Sequence, residues 1–232
     1  MSYVFPPPAI PSVAVHGRAG ARFAVRRIYC VGRNYVEHAQ EMGFTGREPP
    51  FFFMKPADAL LAVGEGEVGA MHYPSLTHDL QHEVELVVAI GIGGRDIAAQ
   101  DALSHVFGYA VGLDMTRRDL QGEAKKQGRP WCIGKAFEES APICTLRPAA
   151  ECRLDADTEI RLDVNGATRQ RSTLGKLIWS VPEVIEHVSK AWTLAAGDLI
   201  YTGTPAGVAA VVAGDMLHAV VAGVGSLHLE IV

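Results

Sequence analysis

Three carboxylates carry the first chemical signal. Glu83 and Glu85 sit two apart in EVELVVAI (residues 83–90), the most strand-like run in the chain. Side chains alternate across a strand, so the two glutamates share a face, about 7 Å apart, beside Val87 and Ala89. Val84, Leu86, Val88 and Ile90 line the opposite, core-facing side. Two carboxylates on a partly apolar face repel each other and lose hydration, and a cation relieves both problems. The plainer alternative is an exposed edge strand with two solvated glutamates. Asp114 shifts the weight, because it ends a second apolar strand, FGYAVGLD (residues 107–114), where a solitary charge is unusual. Three carboxylates without cysteine or paired histidine suit a hard divalent ion, Mg²⁺ or Mn²⁺, far better than zinc.

Proton chemistry has separate candidates. His38 and Glu41 lie three apart in a helical stretch, residues 35–42, and so share a face. A carboxylate within reach of an imidazole fixes the ring and stabilises its protonated form, which makes a general base. An ordinary exposed helical pair is the commoner reason for that spacing. Arg118 and Gln121 repeat it just beyond Asp114, where they could orient a substrate carboxylate or simply form a solvated polar face. Lys135, in WCIGKAF, has small and apolar neighbours; either its ammonium is partly desolvated or its stem covers the core. The turn Thr202-Gly203-Thr204-Pro205-Ala206-Gly207 offers N–H groups and hydroxyls to an anion, or is a tight β-turn and no more. It lacks the Gly-Lys-Ser/Thr end of a phosphate loop, so nucleotide binding has no support. The other histidines form no ligand set, and His82 points away from the face of Glu83.

The elements that must hold these residues are short. RIYCV (27–31) reads as a strand, residues 35–42 as a helix stopped by Gly43, and FFFMK (51–55) as a strand. LAVGEGEVGAM (61–71) reads as a hairpin or loop, and residues 98–106 as a short helix. Thr116 is placed to cap a polar helix running to about Gln127, with Gly128 and Pro130 beyond it. The Asn-Gly step in EIRLDVNGATRQRS (159–172) signals a hairpin, and residues 181–192 an amphipathic helix with Pro182 near its start. Residues 199–202, 216–222 and 226–232 read as strands. No regular βαβ alternation, repeat or linker is visible, so the pattern specifies an α+β, β-rich domain. The Pro-rich residues 1–25 read as an extended arm with little core of its own, and residues 26–232 as the domain proper.

Composition narrows the function classes. With 232 residues, 48% of them hydrophobic, the chain can bury a core without staples. Lys+Arg 21 against Asp+Glu 26 gives a charge of −5, which argues against a nucleic-acid or anionic-membrane role. No apolar run approaches the roughly 18–20 residues a membrane helix needs. The first fifteen residues lack the basic start and apolar stretch of a signal peptide. Cys30, Cys132, Cys144 and Cys152 have neither CxxC nor zinc spacing, so four reduced thiols and a cytoplasmic location are expected.

Taken in order, IYCVGRNYVEHAQEMG, PPFFFMKPADAL, YPSLTHDLQHEVELVVAIG, GYAVGLDMTRRDLQ, GKAFEESAPI, VNGATRQ and GDLIYTGTPAGV resemble the fumarylacetoacetate hydrolase family, in its small single-domain branch. Each motif alone is weak; the ordered set, from Ile28 to the C-terminus, is specific. The resemblance implies a mixed β-sandwich roll with a few short helices, a Mg²⁺ or Mn²⁺ site and a homodimer. It puts the metal carboxylates on Glu83, Glu85 and Asp114, a His–Glu dyad on His38 and Glu41, and the active-site lysine on Lys135. Substrate contacts fall on Arg118, Gln121 and Thr204, and Lys55 matches the lysine of the family's Lys-Pro motif.

The reaction this implies is hydrolytic C–C cleavage of an acylpyruvate, with fumarylpyruvate, an intermediate of aromatic catabolism, as the favoured substrate. The metal would chelate the pyruvyl end, His38 held by Glu41 would activate water, and Lys135 would face the developing enolate charge. A distal carboxylate needs a cation, and Arg33 is the candidate. The same site could decarboxylate oxaloacetate, or isomerise and decarboxylate a hydroxyheptadienedioate, without activating water. A non-catalytic metal- or carboxylate-binding domain is the third reading.

Overall fold

The computed structural model describes residues 3–36 and 47–232. The helix expected over residues 35–42 therefore falls mostly outside the described residues, as do His38 and Glu41.

A large mixed sheet carries the site. Its strands run in the order Phe52–Lys55, Arg27–Val31, Asp198–Tyr201, Val84–Ile90, Val106–Leu113, Ala141–Ile143, Leu60–Ala62, with Arg147–Pro148 also joined to Val106–Leu113. A second, five-stranded sheet runs Ala167–Thr173, Glu159–Val164, Met216–Val221, Gly225–Ile231, Val68–Met71. The Glu159–Val164, Met216–Val221 and Gly225–Ile231 strands pack on Val84–Ile90 and Val106–Leu113. One apolar core results, shared by both sheets. The strand-rich architecture with few helices is the expected one.

Glu83 and Glu85 are carried by the centre of the large sheet, not by its edge. Every residue of the Val84–Ile90 strand is buried, on both faces. Leu86, Val88 and Ile90 are each fully covered, and burial of such side chains contributes roughly 1.5–3 kcal/mol apiece. That gain is what can force a glutamate into the interior. The exposed-edge alternative is thereby removed.

Several local expectations are met and others corrected. The Asn165-Gly166 turn has both residues at positive φ (51° and 77°), as a two-residue hairpin requires. The Val181–Ala191 helix carries Pro182 in its first turn, and Ser180 with Glu183 forms a capping box. Residues 61–71 are not a hairpin: Leu60–Ala62 pairs with Ala141–Ile143, whereas Val68–Met71 pairs with Gly225–Ile231 in the other sheet. The helix expected over residues 98–106 shrinks to a single 3-10 turn, Ala102–His105. Thr116 is not a helix cap; it pairs with Gln81 in a short strand, and the helix begins at Arg118. Within residues 1–25, Ser12–Ala14 pairs with Arg22–Ala24, and Val13 and Val25 join the common core, so the arm is more than an appendage. No helix among the described residues is long and apolar enough to cross a membrane.

Candidate functional site

Backbone register brings the carboxylates together. The Val84–Ile90 and Val106–Leu113 strands run antiparallel with Val84 opposite Leu113, and Asp114 N–H donates to the Glu83 carbonyl (2.9 Å). Glu83, Glu85 and Asp114 each offer an oxygen within 4.8 Å of the other two, and all three are buried. From the far side the Thr202–Gly207 turn closes on them, where Gly203 N–H donates to Glu85 Oε2 (2.7 Å). Gly203 sits at φ 101°, and a Cβ there would lie 2.6 Å from Asn34 Cβ, so that close approach requires glycine.

Three cations meet two of the three carboxylates. Lys135 Nζ donates to Glu83 Oε2 (2.8 Å), Asp114 Oδ2 (2.7 Å) and Thr116 Oγ1 (2.6 Å), which uses all three of its N–H bonds. Lys55 Nζ lies 2.8 Å from Asp114 Oδ1 and directs its hydrogen bonds to the carbonyls of Met115 and Lys135. Arg118 bonds Glu83, Gln81 Oε1 (2.7 Å) and Gln121 Oε1 (2.6 Å). The short Cys132–Lys135 helix places Lys135 by packing against the Arg118–Lys126 helix; a Cβ on Gly134 would lie 2.8 Å from Gln121 N.

This pairing splits the two glutamates. Burial opposes the charge on Glu83, but Lys135 and Arg118 outweigh it and hold its carboxyl well below the usual range. Among the described residues Glu85 has no cation against it: burial first, then Asp114 and Glu83, push its carboxyl well above the usual range. Burial pulls Lys135 toward neutrality, and Asp114 with Glu83 more than reverses this, so the ammonium is kept. The cluster thus holds one carboxyl, Glu85, short of a direct counter-charge among the described residues, while Asp114 Oδ1 has the Lys55 ammonium beside it. All-oxygen donors of this kind fit a hard divalent cation.

A narrow cleft of about 70 Å³ opens onto this cluster. Glu83 and Lys135 lie at its base, and Arg33, Phe51, Arg118, Gln121, Lys125 and Trp131 form its walls. Arg33 stacks over the Phe51 ring at 5.1 Å, and Phe51 meets Trp131 edge-on at 5.3 Å. A wider groove of about 630 Å³, lined by His16, Glu65, Arg147 and His218 among others, touches none of the carboxylates. Chemistry therefore belongs with the smaller cleft.

Of the residues singled out from sequence, Glu83, Glu85, Asp114, Lys135, Lys55 and Arg118 converge directly. Gln121 is held by Arg118, and Arg33 shares the cleft. Thr204 is not among the cleft-lining residues; its hydroxyl accepts from Gln170 Nε2 (2.8 Å). Gln170 Oε1 in turn contacts His82 Nδ1 (2.9 Å) and accepts from Val84 N–H (3.1 Å), on either side of Glu83. Gln170, Asn34 and Thr116 were missed in the sequence. Asn34 bonds Thr202 O and Trp179 O at 2.8 Å each, bracing the turn that carries Gly203. A fully buried amide on the hairpin strand Ala167–Thr173 leaves no local pattern to read.

Residues 27–232 match the fumarylacetoacetate (FAA) hydrolase C-terminal family. The chain belongs to that family. Among solved structures, fumarylpyruvate hydrolase from Pseudomonas aeruginosa in complex with Mn²⁺ and pyruvate is 50% identical, with a TM-score of 0.96, over 100% of this chain and 99% of that one. Among other relatives, the mitochondrial oxaloacetate tautomerase FAHD1 of Rattus norvegicus is 40% identical over 206 residues, 89% of this chain and 91% of its own. The mitochondrial oxaloacetate decarboxylase of Dictyostelium discoideum is 38% identical over 198 residues, 85% and 89% of the two chains. Fumarylacetoacetate hydrolase family members with these names act on keto acids, by hydrolysis in the first case and by tautomerisation or decarboxylation in the other two.

Proposed function

We propose that this protein is a Mg²⁺- or Mn²⁺-dependent hydrolase of acylpyruvates, with fumarylpyruvate as its preferred substrate. The observation that carries the reading is the buried Glu83–Glu85–Asp114 cluster, in which Glu85 has no positive partner among the described residues. It occurs in a chain that is 50% identical over its full length to the Mn²⁺- and pyruvate-bound fumarylpyruvate hydrolase. A divalent ion held by those three carboxylates supplies Lewis-acid polarisation of a keto oxygen and its neighbouring carboxylate.

The chain's own residues do the rest. Counted together, Lys55, Lys135 and Arg118 match the three carboxylates in charge, although none of them touches Glu85. A bound dication therefore leaves the centre positive and matched to an anionic keto acid. The Lys135 ammonium, fixed a few ångströms from the carboxylates in a dry site, stabilises negative charge as pyruvate enolate departs. His38, with Glu41 three residues on in the sequence, is assigned the proton of the attacking water. Arg33, which lines the cleft and lies over the Phe51 ring, takes the distal carboxylate. Arg33→Leu is expected to cut the preference for fumarylpyruvate over acetylpyruvate about tenfold or more. An unchanged ratio of kcat/KM values would remove Arg33 from that role.

The deciding experiment is turnover of fumarylpyruvate with Mg²⁺ or Mn²⁺, pyruvate as the readout and an EDTA-treated control. Metal-dependent release of fumarate and pyruvate is expected. The tautomerase and decarboxylase relatives favour a second reading, enolate chemistry on oxaloacetate without hydrolysis. Turnover of oxaloacetate with none of fumarylpyruvate would select it.

A further inference from the structure

The Arg118–Lys126 helix presents Arg118, Gln121 and Lys125 to the cleft, spaced three and four residues apart on one face. The first two are spoken for. Arg118 holds Glu83, Gln81 and Gln121, and Gln121 is its acceptor. Lys125 differs: it is exposed, lines the cleft, and its ammonium makes no ion pair or hydrogen bond among the described residues. Its neighbour Lys126 pairs with Glu123 at 3.5 Å and does not line the cleft. One unpaired cation thus stands at the outer end of a polar ladder whose inner end touches the carboxylate cluster.

We propose that Lys125 is the outer anion anchor of this cleft and joins Arg33 in selecting keto acids that carry a second carboxylate at the far end of an extended chain. This rests on the keto-acid reading of the carboxylate cluster. The spacing fits it. Lys125 lies roughly 10 Å along the helix axis from Arg118, and a lysine side chain reaches partway back. A seven-carbon keto diacid spans about 7 Å between its ends, whereas four-carbon oxaloacetate spans only about 4 Å and cannot touch both ends of the ladder. Phe51 and Trp131 provide an aromatic wall along the same path, against which a flat, conjugated chain can lie.

Two ligands separate the anchor from the reaction: 2-oxoheptanedioate and 2-oxoheptanoate, alike in chain length and keto acid end, different only at the distal carboxylate. Their affinities for the Mn²⁺-loaded enzyme, by calorimetry or by inhibition, should favour the diacid. Lys125→Ala should shrink that preference about fivefold, Lys125→Glu should shrink it further or reverse it, and Lys125→Arg should restore it. The same preference in wild type and Lys125→Ala would overturn the assignment. Equal binding of both ligands to wild type would overturn it as well. Because binding is read without turnover, these outcomes are distinct from failure of the hydrolase reading, which shows as no cleavage of fumarylpyruvate by wild type.

Discussion

Lys135→Met is expected to lower the stability of the metal-free protein by about 3–5 kcal/mol, the cost of breaking a buried ionic network by removing one partner. For a chain of this length that is a drop in Tm on the order of 10 °C. Methionine fills most of the lysine's volume, and the Lys135 main-chain carbonyl that accepts from Lys55 and Ser140 survives the change. What is lost is the ammonium between Glu83 and Asp114, which leaves both carboxylates buried with less counter-charge. Mn²⁺ should recover much of that loss, because a dication at the same carboxylates replaces the missing charge. Activity should still fall about 10²–10³-fold, since a positive group aimed at the reacting centre is gone. Thermal melts of the variant in EDTA and in Mn²⁺ test this directly. A variant that melts like wild type in EDTA would show that Lys135 does not hold the cluster.

The charge-bearing part of the site was legible because strand periodicity is a strong local rule. Glu83 and Glu85 had to share a face, and Asp114 had to end an apolar strand, whatever the tertiary structure. Their burial was not legible. Whether EVELVVAI sits at an edge or in the centre depends on Asp198–Tyr201, more than a hundred residues away, pairing with one side of it. The same limit explains the misread segments. Residues 61–71 have hairpin punctuation, yet their two halves find partners in different sheets, a choice made by Ala141–Ile143 and Gly225–Ile231. Thr116 has the chemistry of a helix cap, but the Lys135 ammonium, already bound to two carboxylates, takes its hydroxyl as a third acceptor. Gln170 could not be found from pattern at all. Its partners, His82, Val84, Thr204 and Pro205, are collected from two distant segments, and only the folded chain puts them around one amide.

Glu85→Gln should pull apart two properties that usually fall together: the metal-free protein becomes more stable while metal binding is lost. In the folded, metal-free chain the Glu85 carboxyl keeps its proton to higher pH than it does when unfolded, because burial and the neighbouring Asp114 and Glu83 disfavour its charge. The folded state therefore binds more protons than the unfolded state above the ordinary carboxylate pKa, and stability falls as pH rises through that window. Glutamine carries no charge to be penalised, and its side-chain oxygen can still accept the Gly203 N–H. In EDTA the variant should melt above wild type at pH 8, with the gap closing toward pH 4–5. Mn²⁺ affinity should drop about 10²-fold or more, as one anionic ligand of three is neutralised. Wild type should in turn bind Mn²⁺ more tightly as pH rises, because the ion displaces the Glu85 proton. A Glu85→Gln protein that binds Mn²⁺ as wild type does would remove Glu85 from the metal site. One that melts lower in EDTA at pH 8 would mean that Glu85 is ionised and favourably held in the metal-free fold.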